Sequence, residues 1–306
     1  MGENPAGLAV SAHDFGLKGA RGWAFRGVSF TAGPGSLIAV EGPSGSGRTS
    51  LLLALTGRMR ATEGTATVGD ARLPRQLAPL RRVSALAHVP GVTDLEPSLT
   101  VGEHLRERAL LQRRFGGSLR GLLRPRAERV AEARLRVDAA LDAAGLDRSA
   151  LPKGSRTAVR DLDRTEALRL SVALALVGRP RLLGVDDTDL KLSDTERVEI
   201  WGLLGSLAAA GTTVLAVCSE APEGAVVVST RGAVSPSADG PADAADGEDP
   251  GDTAETVPPS DAADAVDPGG ATEAVAPGAV AEPTHDSDDS DDPKETGDAF
   301  AEARRA

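Results

Sequence analysis

The chain has 306 residues, 41% of them hydrophobic, 26% charged and only 2% aromatic, so length alone allows one large domain or two ordinary ones. Its net charge of −11 is unevenly placed: residues 235–306 carry 20 acidic against three basic side chains, which leaves 25 acidic and 31 basic in 1–234. A mildly basic body therefore precedes a strongly acidic tail, and no apolar run reaches the roughly 18 residues that a membrane span needs.

Along the chain, the opening Met1-Gly2-Glu3-Asn4-Pro5 has neither a basic nor an apolar leader segment, so no secretory signal is expected and the protein reads as cytoplasmic. Leu37-Ile38-Ala39-Val40 is a short apolar run bounded by glycines, which suits a buried strand. A helix is predicted over 49–58, with Leu51, Leu52, Leu55 and Met59 on one side. Residues 65–68 and 83–89 read as short strands. Two long helical patterns follow, Val101–Phe115 and 126–144, the second stopped by Gly145. A third covers 164–177, where Leu168, Val172, Ala175 and Leu176 recur at helical spacing.

Strand Leu182–Val185, helix Asp194–Ala209, and strands Thr213–Cys218 and 225–229 complete the body. Strands alternating with helices imply a parallel sheet covered on both faces. The helical insert at about 101–160 interrupts that alternation and is expected to pack as a subdomain. The lone Cys218 excludes an internal disulfide and a cysteine-based metal site. His13, His88, His104 and His285 are too scattered in sequence to suggest a ligand cluster. From Ser235 onward the composition is Ala, Asp, Pro, Gly, Glu, Ser and Thr, which cannot bury enough apolar surface to offset chain entropy. A disordered acidic tail is expected over 235–306, beside one folded domain over 1–234.

The sharpest chemical signal is Gly42-Pro43-Ser44-Gly45-Ser46-Gly47-Arg48-Thr49-Ser50, between the predicted strand at 37–41 and the helix after it. Glycines there let backbone N–H groups turn around a phosphate, and the helix N-terminus adds its positive dipole end. The usual pattern is G-x-x-x-x-G-K-[ST], and Arg48 stands where lysine is expected. Thr49 is the candidate to place a hydroxyl on Mg²⁺. Leu182-Leu183-Gly184-Val185-Asp186-Asp187 is an apolar strand ending in carboxylates, the pattern of a Mg²⁺-holding element, with Asp186 as second metal ligand.

With these two motifs in order, the chain resembles the ATP-binding cassette (ABC) ATPase family over nearly all of 8–230. Val28-Ser29-Phe30 with Pro34-Gly35-Ser36 is similar to that family's lead-in to the phosphate loop. Leu99-Thr100-Val101-Gly102-Glu103-His104-Leu105 resembles its LTVxENL segment. Residues 173–180 are similar to its approach to the second motif, and 211–215 to the strand before its switch histidine. The resemblance implies an α/β P-loop NTPase fold of ABC type with a helical subdomain. It also implies ATP and Mg²⁺ as cofactors and a peripheral position on the inner face of the cell membrane. The implied partners are an integral membrane permease subunit and a homodimer, or a heterodimer with another ABC ATPase subunit.

The family's catalytic positions depart from pattern. Arg48 replaces a compact ammonium by a planar fork. Gly91 falls at the Q-loop glutamine, Leu162-Asp163-Arg164-Thr165-Glu166 at the LSGGQ signature, and Ser219 at the switch histidine. Asp187, one methylene shorter than glutamate, takes the general-base position. Trp23 and Phe15 are the candidates to stack on adenine, with plain packing the other reading of Trp23. These departures imply weak or partner-dependent hydrolysis, and as the alternative a nucleotide-sensing regulatory or scaffold protein without significant ATPase activity. Ten arginines lie within 104–137, but Phe115 is the one aromatic residue among them, so nucleic acid is not an expected partner.

Overall fold

The computed structural model describes residues 6–115, 125–189 and 191–230. The chain divides into two units, Met1–Gly240 and Pro241–Ala306. The second unit, and with it the tail expected over 235–306, lies outside the described residues.

The first unit opens with strands β1 (Val10–Gly19), β2 (Gly22–Ala32) and β3 (Leu37–Glu41), then helix α1 (Arg48–Leu55). Strands β4 (Glu63–Val68) and β5 (Ala71–Leu73), helix α2 (Leu77–Val83) and strand β6 (Ser84–Ala87) follow. Helices α3 (Val101–Phe115), α4 (Arg126–Ala143) and α5 (Arg164–Leu176) come next, with short 3-10 turns at Gly154–Arg156 and Val159–Asp161 before α5. Strand β7 (Leu182–Val185), helix α6 (Asp194–Ala209), and strands β8 (Thr213–Cys218) and β9 (Val226–Ser229) end the described chain.

Five of these strands form the expected parallel sheet, in the order β6-β7-β8-β3-β9. Side chains on a strand alternate between faces, and here the alternation separates two cores. Ile38, Val40, Leu182, Leu215 and Val217 face one; Leu183, Val185, Val214 and Ala216 face the other. Both faces are thus buried, as a parallel sheet requires. The second core also takes in Val101 and Leu105 of α3 and Leu141 of α4, so the helical insert shares a core with the sheet and α5.

The sequence reading did not contain the second sheet. Strands β2-β1-β4-β5 pair antiparallel, and the strand read at 65–68 belongs here. Pairing of β1 with β2 shifts register between Ala12 and Phe15, between Phe15 and Leu17, and between Leu17 and Lys18. Such irregularities blur the two-residue period by which a half-buried strand is recognised. Phe15 and Phe25 meet in the first core with ring centroids 5.8 Å apart, both fully buried. Phe15 is therefore a packing residue and is removed as an adenine-stacking candidate.

Helix starts follow local chemistry. Thr100 and Glu103 exchange side-chain-to-backbone bonds at the head of α3: Thr100 N donates to Glu103 Oε2 at 2.8 Å, and Glu103 N to Thr100 Oγ1 at 3.2 Å. This reciprocal cap satisfies two backbone donors that the helix itself leaves open. It is the physical content of the Leu99–Leu105 motif. Ser193 and Glu196 do the same for α6.

Candidate nucleotide site

Two glycines of the loop between β3 and α1, Gly42 and Gly47, could take no side chain without a shift. At Gly42 a Cβ would lie 2.2 Å from Thr230 Oγ1 and 2.7 Å from Ser46 Oγ. At Gly47, φ +83°, it would lie 1.8 Å from the Ala24 carbonyl oxygen of β2. Thr230 closes the loop from beneath. Its backbone N donates to Glu41 O at 2.9 Å, and its hydroxyl shares a 2.6 Å bond with Ser46 Oγ. Ser46 is accordingly buried and structural, whereas Pro43, Ser44, Gly45 and Thr49 face solvent and Ser50 is half-buried. Gly47 caps α1 with no side-chain hydrogen bond, which leaves backbone N–H groups of the first turn without a capping side chain from that position.

Thr49 Oγ1 donates to Asp186 Oδ2 at 2.7 Å across 137 residues of sequence. The two expected metal ligands are therefore adjacent. Asp186 is 1% exposed and its other oxygen accepts from Asp187 N at 3.0 Å. Burial, and then the neighbouring Asp187 charge, push its carboxyl above the ordinary range, while the Thr49 bond pulls it back. Asp187 itself is half-buried at φ +47°, a backbone region non-glycine residues seldom occupy. Arg48 turns from the loop toward the sheet, its Nη1 donating to Cys218 O at 2.5 Å.

His88 is a residue the sequence reading left among the scattered histidines. It follows β6 at φ +51°, and its charge environment contains Arg164, Asp187 and Asp94. Burial and then Arg164 push its pKa below the ordinary imidazole value. Gly91, read at the glutamine position, lies three residues on in an exposed turn, its N donating to Asp94 Oδ2 at 2.8 Å. The signal for His88 was its place directly after an apolar strand.

A family model described as ABC transporter matches residues 25–189, more than half of the chain. The chain belongs to the ABC transporter family. Among its relatives, Nod factor export ATP-binding protein I of Cupriavidus metallidurans is 34% identical over 182 residues, which cover 60% of this chain and 53% of that protein. The Fe(3+) ions import ATP-binding protein FbpC of Streptomyces avermitilis is 33% identical over 190 residues, 61% of this chain and 48% of that one. The chain spans about half the length of the curated relatives it matches. In fold it resembles the dimeric ATP-binding cassette MJ0796 bound to ADP and Pi, with TM-score 0.53 at 22% identity, covering 69% of this chain and 88% of that chain. It also resembles cbiO1 of Clostridium perfringens, part of the ABC transporter complex cbiONQ, with TM-score 0.55 at 18% identity, covering 69% and 78%.

The segment read from the sequence at the signature position is engaged with its own helix. Asp163 Oδ1 accepts from Glu166 N at 2.7 Å, and Glu166 Oε2 accepts from Asp163 N at 2.9 Å, a complete capping box on α5. At the switch position, Ser219 N donates to Asp189 Oδ2 at 2.6 Å. Trp23 neighbours Ala24, the residue against Gly47, and its ring carries Arg26 at 4.7 Å and Lys18 at 5.5 Å from the centroid.

Cys218 is fully buried beneath Arg48, its Sγ facing Val40 O at 3.8 Å. Burial, then Asp189 and Glu41, push the thiol up to about 12. We expect the native protein to resist a thiol reagent at pH 8 and to react fully once denatured, as read by mass. Because the folded pKa lies above the ordinary value near 9, the neutral thiol's contribution to stability is intact below pH 9 and is lost as pH climbs toward 12. Rapid labelling of the folded protein at pH 8 would contradict this burial.

Proposed function

We propose that the chain is the ATP-binding subunit of an ABC transporter. It binds Mg–ATP at residues 42–50 and couples that binding to a separate integral membrane permease, from a peripheral position on the inner face of the membrane. The observation that carries this reading is the 2.7 Å Thr49–Asp186 bond at the mouth of a glycine loop whose helix N-terminus is uncapped. Among the described residues, no helix is long and apolar enough to cross a membrane.

The donor set suits Mg²⁺. A hydroxyl and a carboxylate are hard oxygens, and Mg²⁺ favours one or two such protein ligands with phosphate and water completing the shell. No group of three or more His, Cys, Asp or Glu able to hold a metal exists among the described residues, so an all-protein cage is not the alternative. Thr49 and Asp186 would hold the ion, which would supply positive charge against the negative charge that builds up on the phosphates during transfer. The protein's own part is to cradle phosphates through backbone N–H groups of 42–50 and to supply the Arg48 charge. Asp187 is the candidate to accept a proton from the attacking water, and its charge reaches His88.

Weak or partner-dependent hydrolysis is part of the proposal. In the family the signature helix grips the γ-phosphate from the opposite subunit, whether the dimer is of identical chains or mixed. Here Asp163 already occupies that helix start and adds a negative charge. Like charges about 4 Å apart cost roughly 1–4 kcal/mol between bulk water and surface dielectric.

The test pairs binding of a fluorescent ATP analogue with phosphate release. We expect Mg²⁺-dependent binding and a turnover at least about 100-fold below the ~10 s⁻¹ typical of enzymes. Asp163→Ser keeps an equally good N-cap and so leaves stability within about 0.5 kcal/mol. Without the charge, turnover should rise by at least about fivefold, which corresponds to 1 kcal/mol. Binding with no turnover in the variant, and none with any permease partner, would instead favour the sensor or scaffold reading.

A further inference from the structure

Beyond the phosphate loop, a second positively charged pocket lies at the opposite end of α1. Four arginines line it. Arg58 comes from the turn after α1, Arg81 and Arg82 from the last turn of α2, and Arg108 from α3. The pocket holds about 340 Å³, within the size range of small-molecule sites. No acidic side chain lines it, and none of the four guanidinium groups is ion-paired among the described residues. The eight residues of α1 separate it from Gly47 by about 12 Å at 1.5 Å per residue.

Two of the arginines are anchored. Arg58 donates to Thr56 O, Ser84 Oγ and Ser84 O, at 2.5, 2.5 and 3.0 Å. Arg108 donates Nε to Leu174 O at 2.9 Å, and its Nη groups make no hydrogen bond among the described residues. Arg81 and Arg82 are exposed at the rim. The result is an anchored cationic floor with two exposed cations at its rim, a geometry matched to planar or tetrahedral oxyanions. Burial, then the charges of Arg81 and Arg108, bring the Arg58 pKa down to about 10. The C-terminal dipole of α2 amounts to roughly half a negative charge. That leaves most of four positive charges without compensation.

We propose that this pocket binds a small polyvalent oxyanion, a molecule carrying two or more phosphate or carboxylate groups. Two such groups can take the anchored and the rim arginines together, which a monovalent ion cannot. The inference does not depend on the ATP reading, because its residues and its readout are separate from the phosphate loop.

Arginine footprinting with phenylglyoxal, mapped peptide by peptide, tests it with inorganic pyrophosphate and with citrate as probes at matched ionic strength. Arg81 and Arg82 should react about tenfold more slowly at ten times Kd, by mass action. Arg72 and Arg75 should be unaffected, and the protection should persist with saturating Mg–ATP, when Arg48 reports the loop. In Arg81→Gln/Arg82→Gln, calorimetric binding of either probe in the presence of ATP should disappear while ATP binding is retained. Protection confined to Arg48, or equal at every arginine, overturns the proposal. So does unchanged probe binding by the double variant, or binding of a polyglutamate peptide but of neither small anion.

Discussion

Gly47→Ala abolishes nucleotide binding and lowers the melting temperature by at least about 6 °C, a cost of about 3 kcal/mol or more at 2–4 °C per kcal/mol. Two independent penalties produce it. The left-handed backbone at φ +83° costs an L-residue roughly 1–2 kcal/mol. The added Cβ would also lie 1.8 Å from Ala24 O, a main-chain atom of β2 that no rotamer change can clear. Either β2 moves or the head of α1 moves, and both carry the loop's N–H groups out of place. Gly45→Ala is the control: its φ is +81°, but a Cβ there meets nothing within 4 Å. Calorimetric melts of the two variants should therefore differ by the clash alone. Equal melting temperatures would mean that the packing of β2 against the loop contributes nothing.

For Asp186→Asn we expect opposite effects on stability and on ligand binding. Burial holds the wild-type carboxyl above its ordinary pKa, so the folded state binds that proton more tightly than the unfolded chain does. Such a group destabilises the fold once it must ionise, as pH rises past the unfolded value. The amide removes that cost, so the variant should melt higher at pH 7. The gain should shrink as pH falls below the ordinary carboxylate range. Loss of the carboxylate should at the same time weaken Mg²⁺-dependent ATP binding by at least about tenfold, or 1.4 kcal/mol. Affinity measured with a chelator in place of Mg²⁺ should hardly change. A uniform loss in both conditions would indicate a damaged loop and would argue against Asp186 as a metal ligand.

What could be read along the chain was whatever depends on neighbours in sequence. The phosphate loop is legible because its turn, its glycines and the following helix all lie within nine residues, 42–50. The parallel strands are legible because burial on both faces makes them continuous apolar runs, as in Leu182–Val185 and Thr213–Cys218. Asp186 was within reach for the same reason, since it directly follows such a run. The cap at Asp163 is also written locally, as Asp with Glu three residues later.

Tertiary structure decided the contacts whose partners are distant in sequence. Strands β1 and β2 show no clean alternation because bulges shift their register, and only their pairing with each other, and of β1 with β4, makes a sheet of them. Arg48 reaches the carbonyl of Cys218, 170 residues away, and no spacing within the loop predicts that direction. Arginine density pointed to 104–137, yet among the described residues only Arg108 of that stretch enters the cationic pocket. Arg58, Arg81 and Arg82 arrive there from α1 and α2. Charge along a chain counts residues, whereas an electrostatic field depends on distance in space. The fold alone sets that distance.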